Sequence, residues 1–259
     1  MMNFAQIPMI HKLTFAYDPD FQAWLDRGTT LGYTLPSDAQ KLSINDFFIG
    51  LKADGLWSKF DILYWFAIDG SSDMATLNLK SPTTHQITVT TTTFVTNQGF
   101  KIQSNGGLDT NFVPSTSGVN YTKDDASNID YVYSHPGGTR ELFGQQSGTI
   151  YVRLVSNTSA SGQRINSTNN LSAAVNIGTT GYKAITRTSS TAVTLYDGTT
   201  AFSRTETSTT LSPAQVTIGR VNGINGVDVV HSCYGEAASL NATEHGNMRT
   251  RILNLLAAL

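Results

Sequence analysis

Residues 192–207 read Ala192-Val193-Thr194-Leu195-Tyr196-Asp197-Gly198-Thr199-Thr200-Ala201-Phe202-Ser203-Arg204-Thr205-Glu206-Thr207. Apolar and polar side chains alternate on both sides of Asp197-Gly198, a dipeptide suited to a two-residue hairpin turn because both residues tolerate positive φ. The same pattern extends in both directions. Upstream, residues 85–95, 130–135, 149–155 and 182–188 read as strands; downstream, residues 215–221 and 227–234 do, with Gly, Asn, Asp and Ser between them. The apolar run Ile62 to Ile68 has strand length and is expected to be buried on both faces. Short strands with turn signals every roughly 8–12 residues predict an all-β, two-sheet antiparallel sandwich rather than a βαβ fold.

Two helices bracket these strands. Ile44, Phe47, Phe48 and Leu51 recur at i, i+3, i+4 and i+7, Pro36 and Asp38 suit a helix start, and Gly55 suits a stop, so a helix is expected over 37–53. Asn241 with Glu244 three residues on resembles a capping box. Met248, Ile252, Leu255, Leu256 and Leu259 then form one stripe, which predicts a helix over 241–257 docked on the sheet. Residues 1–34 hold scattered aromatics and the turn-like Asp18-Pro19-Asp20 without a sustained period. They are expected to be an irregular N-terminal arm, an attachment segment that orders on a partner, and the folded domain is expected to span 35–259.

Composition narrows the function. Of 259 residues, 39% are hydrophobic and only 14% charged, with net charge −2, while about 30% are Ser, Thr or Asn. Disorder is excluded by the near-normal apolar content, and a near-neutral chain without a basic run offers nothing to nucleic acid. One cysteine, Cys233, rules out an internal disulfide and a cysteine zinc site. No apolar run approaches the roughly 18 residues of a membrane span, and Met1-Met2-Asn3-Phe4 lacks the basic start of a signal peptide, so synthesis in the cytosol without membrane insertion is expected. Neutral, Thr-rich surfaces suit β-proteins that work outside cells.

Motifs that carry chemistry are few. The Gly144–Gly148 segment has the wrong spacing for a nucleophile elbow, and the five histidines form no zinc-spaced pair. His231 and Cys233 read as buried strand residues. Asp124-Asp125 and Asp69-Gly70-Ser71-Ser72-Asp73 sit in loops whose oxygens suit calcium, against the simpler reading of solvated turns. Tyr131, Tyr133, Tyr151 and Arg153 lie on strands with alternate residues outward. They form a candidate carbohydrate-binding face, because saccharide rings stack on exposed aromatics beside polar donors; the competing reading has these tyrosines lining the core.

Several segments together resemble a family. Gly50-Leu51-Lys52-Ala53-Asp54-Gly55-Leu56-Trp57-Ser58-Lys59-Phe60-Asp61-Ile62-Leu63-Tyr64-Trp65-Phe66-Ala67 is similar to a segment common in bacteriophage virion proteins. The element from Ala75 to Lys80, the turn from Phe94 to Phe100 and the loop from Leu108 to Ser127 accompany it. The C-terminal part resembles the end of a concanavalin A-like or laminin-G-like jelly roll. The resemblance implies a virion tail, fibre or capsid-decoration module that assembles with other virion proteins or copies of itself and touches host glycans. A carbohydrate-binding adhesin module and a polysaccharide depolymerase with an unrecognised acid pair, such as Asp130 with Glu141, are the alternatives. Jelly-roll hydrolases carry Glu-x-Asp-x-Glu on one strand. The four glutamates here, Glu141, Glu206, Glu236 and Glu244, have no acidic residue two positions away, so no enzymatic activity and no cofactor beyond loop calcium are expected.

Overall fold

A computed structural model describes residues 16–145, 149–156, 162–171, 175–221 and 224–259. In chain order its elements are α1 (Pro19–Thr30), α2 (Asp38–Ala53), β1 (Phe60–Trp65), α3 (Ser72–Ala75), β2 (Thr88–Val95), β3 (Gly99–Asp109), α4 (Pro114–Ser117), β4 (Ala126–Ser134), β5 (Arg140–Gln145) and β6 (Val152–Ser156). They continue as β7 (Arg164–Ile165), β8 (Gly181–Arg187), β9 (Ala192–Asp197), β10 (Thr200–Thr205), β11 (Val216–Ile218), β12 (Arg220–Val221), β13 (Ile224–Asn225), β14 (Val230–Ala237) and α5 (Ala242–Ala257).

Among the described residues the fold is all-β and antiparallel, as the sequence predicts. The expected two sheets are one continuous 12-stranded sheet in the order β10-β9-β8-β4-β14-β3-β11-β5-β6-β7, with β1 added on β14 and β2 on β3. The sheet curls until its halves face each other: Phe143 of β5 meets Tyr234 of β14 edge-on at 5.4 Å. Near the two ends of the order, Arg187 of β8 donates to the carbonyl of Ile165 on β7 at 3.0 Å. The hairpin expected around Asp197-Gly198 forms β9 and β10, with Gly198 at φ 61 and Thr200 opposite Asp197. The turn is thus Gly198-Thr199, one residue later than the Asp-Gly reading, and Asp197 instead accepts from Lys183 and from the Gly178 N–H.

Alternation gives each strand an inner and an outer side. On the inner side a chain of buried polar groups crosses the sandwich. Tyr234 donates to Glu236 at 3.1 Å, Asn128 donates to Tyr234 at 3.0 Å, and the Tyr121 hydroxyl lies 3.0 Å from Asn128 Oδ1 and 3.2 Å from Asn166 Oδ1. Burial pushes the Glu236 carboxyl up to about 8, so it is protonated in neutral solution. On the outer side the helices pack. Phe47 of α2 lies 5.7 Å from Trp65, Arg251 of α5 pairs with Asp54 through two hydrogen bonds, and His245 of α5 bonds Tyr182 of β8 at 2.6 Å. The capping box at Asn241 and Glu244 is formed.

Residues 17–34 are not an irregular arm: Asp18 caps α1, Pro19 takes its first turn, and Phe21, Trp24, Leu25 and Gly28 are buried at helical spacing. Phe21 sits 5.5 Å from Phe48, and Lys52 of α2 reaches both Asp18 and Asp20, so this segment is bound to α2 within the chain. The part of the expected arm before residue 16 lies outside the described residues.

Candidate functional site

An open groove of about 440 Å³ lies where the β2–β3 turn, the end of β4 and the start of β14 come together. Backbone geometry places the turn. Gly99 has φ 115, and a Cβ there would stand 2.0 Å from the carbonyl oxygen of His231, so only glycine lets β3 lie this close to β14. Ser232 then donates to the Gln98 carbonyl at 2.6 Å. Behind the turn, the buried amide of Gln40 on α2 donates to Asn97 at 3.1 Å and accepts from the Asp69 N–H at 2.8 Å. A single side chain thus ties the helix layer, the segment after β1 and the rim of the groove together.

Gln98, Lys101, Ser134, His135 and Asp228 supply polar groups to the lining, and Val95, Pro136 and Val230 supply apolar area. Lys101 Nζ stands 2.7 Å from Asp228 Oδ1, with both side chains more than a third exposed. Exposed pairs of this kind are worth only about 0–1 kcal/mol, so a ligand can take over either partner at small cost. His135 accepts from the Gly137 N–H at Nδ1 (3.0 Å), which leaves its proton on Nε2 to donate to Ser156 (2.8 Å). Burial lowers its pKa to about 4, with the charges of Arg140, His231 and Lys183 adding to the effect, so the ring is neutral at pH 7.

Beneath the groove, His231 Nδ1 lies 3.0 Å from both carboxylate oxygens of Asp130, and both residues are fully buried. A bulge sets up this pair. His231 faces Val132 and Cys233 faces Tyr131, so Ser232 is the extra residue, and it turns His231 to the side of the sheet that carries Asp130. Among the described residues, Nε2 of His231 has no hydrogen-bond partner.

The sequence-predicted face is not gathered into one site. Tyr133 is exposed on β4, and Tyr131 is partly buried beside it, where desolvation raises its pKa and the charge of Arg249 opposes that rise. Arg153 and Tyr151 belong to β6 and the residue before it, five steps away from β4 in the strand order. Arg153 is engaged by Glu141, which it grips with Nε at 3.0 Å and with Nη2. Of the suggested acid pair, Asp130 is bonded to His231 and Glu141 to Arg153. The calcium loops are occupied by other bonds: Asp69 accepts from the Ser37 N–H, Asp125 from the Ser239 N–H and Asp124 from Ser208. Among the described residues no three metal-ligating side chains come together, and no helix is long and apolar enough to cross a membrane.

The sequence matches no protein-family model and no curated protein. By fold, the chain is similar to Trypanosoma rangeli sialidase, with TM-score 0.53 and 10% identity over 83% of this chain and 39% of that one. A second structure of that sialidase, in complex with sialic acid, gives 0.52 and 10% over 74% and 33%. Domain 4 of AbnA, a GH43 extracellular arabinanase from Geobacillus stearothermophilus in complex with arabinotriose, gives 0.46 and 13% over 74% and 98%. The chain spans between a third and two fifths of the sialidases' length. These likenesses correct the expectation of no enzymatic activity: the fold occurs in sialidase chains, so the missing Glu-x-Asp-x-Glu pattern does not exclude catalysis. What the comparisons have in common with this chain is the β-sandwich architecture.

Proposed function

We propose that this chain is a glycan-binding β-sandwich module of a bacteriophage virion appendage and that the groove at Lys101 and Asp228 takes the saccharide. The observation that carries the reading is the lining itself. A carboxylate acceptor, an ammonium donor, the Gln98 amide and the Ser134 hydroxyl surround the apolar surface of Val95, Pro136 and Val230. A sugar ring presents the matching set, hydroxyls at its rim and C–H groups on its faces. Opposite charges of equal size in the lining suit a neutral sugar better than an acidic one, whose carboxylate Asp228 would repel. The sialic-acid complex of a sialidase with this fold supports saccharide recognition, and the resemblance of residues 50–67 to phage proteins supports the virion. Tyr133, exposed next to Ser134, offers a ring for a neighbouring sugar unit.

Calorimetric titration of the full chain with neutral oligosaccharides from bacterial surface polysaccharides tests this. Binding that falls by about 10-fold or more in Asp228→Ala is expected, since a hydrogen bond to a charged group is worth about 1.5–3 kcal/mol. No heat with any neutral glycan, or binding unchanged in Asp228→Ala, would overturn the groove reading. New reducing ends during the titration would add cleavage to binding.

A further inference from the structure

Strand β2 is an edge of the sheet: it is hydrogen-bonded to β3 along one side, and the backbone of Thr88–Phe94 has no partner on the other among the described residues. Edges of this kind invite a further strand, and proteins blunt them with lysines, prolines or a cover. This one lacks those guards. Between Lys80 and Lys101 there is no Asp, Glu, Lys or Arg, and residues 88–95 contain no proline.

The other edges are closed or charged. On β1, the Leu63 N–H donates to Asn78 and its carbonyl accepts from the Leu79 N–H, so the outer side is covered. β10 carries Arg204, and β7 is two residues long and carries Arg164. The one irregularity in β2 is at Thr91, which has φ 42 and lies opposite the four residues 103–106 that β3 bulges out between two registers. The bulge leaves the regular run Thr92–Val95, which is longer than the two-residue pairing that joins β11 to β3. It also shifts the alternation so that Val89, Thr92 and Phe94 share the wall of one cavity of about 150 Å³.

We propose that β2 pairs with β2 of a second copy of this chain, antiparallel across a two-fold axis, joining two sheets into one. A surface placed on its own copy meets its own charges, and like charges directly opposite are destabilising; a charge-free, Thr-rich edge avoids that and allows Thr–Thr cross-strand pairs.

Sedimentation equilibrium of the full chain over a wide concentration range is expected to show the mass rising toward twice that of one chain. Amide exchange at residues 88–95 is expected to slow as the dimer forms. Thr93→Lys and Val89→Lys, both at exposed positions, are each expected to return the single-chain mass while the thermal midpoint of the diluted protein stays put. A wild-type chain that stays at single-chain mass throughout would overturn the proposal. So would a dimer that survives both lysines, or one whose exchange protection falls on residues 200–205 instead.

Discussion

Tyr182 and His245 share a 2.6 Å hydrogen bond between the sheet and α5, and the imidazole completes its pairing with Thr186 at 2.8 Å while lying 3.8 Å from the Tyr196 ring. Enclosed in this way, His245 has its pKa lowered to about 3, burial first and the Lys59 charge second. The unfolded chain binds this proton below about 6.5 and the folded chain does not, so stability is present above that pH and is lost as the pH falls toward 3, by about 1.4 kcal/mol for each unit. His135, lowered to about 4, acts in the same direction. We expect His245→Gln to cost about 1–3 kcal/mol at pH 7 by disturbing buried hydrogen bonds, yet to lessen the loss between pH 6 and 4. Urea unfolding across that range decides it, and an undiminished slope would reject the assignment.

Glu236 works from the alkaline side. Its folded pKa of about 8 lies above the ordinary 4.5, so its contribution is complete below pH 4.5 and fades as the pH rises through 8. Glu236→Gln keeps the shape and removes the proton equilibrium. The variant should gain on the wild type steadily from pH 5 to 8 in the same unfolding measurement, and a constant difference between the two would show that Glu236 does not titrate there.

Gly99→Ala forces a methyl against the His231 carbonyl at a positive φ. Left-handed strain alone costs about 1–3 kcal/mol, and the clash adds to it. The expected outcome is a loss above about 3 kcal/mol together with loss of groove binding, read by unfolding and calorimetry.

Phe21→Ala distinguishes a packed first helix from an arm. Phe21 is fully buried between Tyr17, Trp24 and Phe48, so the truncation should cost about 3–5 kcal/mol in the isolated chain. A midpoint unchanged from wild type would return the segment to the role of a loose attachment.

The parts of the fold that were legible are those with local signals. The β9–β10 hairpin, the α2 stripe and the Asn241–Glu244 cap each lie within a few residues of sequence. Helix α1 was equally local, with a capping Asp18, a first-turn Pro19 and burial at i, i+3, i+4 and i+7, but the Asp-Pro-Asp turn signal hid it. β3 was missed because Ser104-Asn105-Gly106-Gly107 breaks its alternation where β3 bulges; Gly106 is small to admit the Thr91 carbonyl of β2. The groove could not be read at all. Lys101 and Asp228 meet only because β14 returns beside β3, and His231 meets Asp130 only because Ser232 is inserted as a bulge.

The polar chain from Glu236 through Tyr234, Asn128 and Tyr121 to Asn166 bears on how the sheet finds its pairing. β14 is buried along its whole length, on both faces, so burial alone does not fix which of its residues point inward. A slip of one residue would carry Tyr234 and Glu236 to the helix side and strand each of them without a partner. The sandwich interior therefore proofreads the register of its central strand: an arrangement that merely buries the strand is rejected, and the one that joins Tyr234 to Glu236 and Asn128 survives.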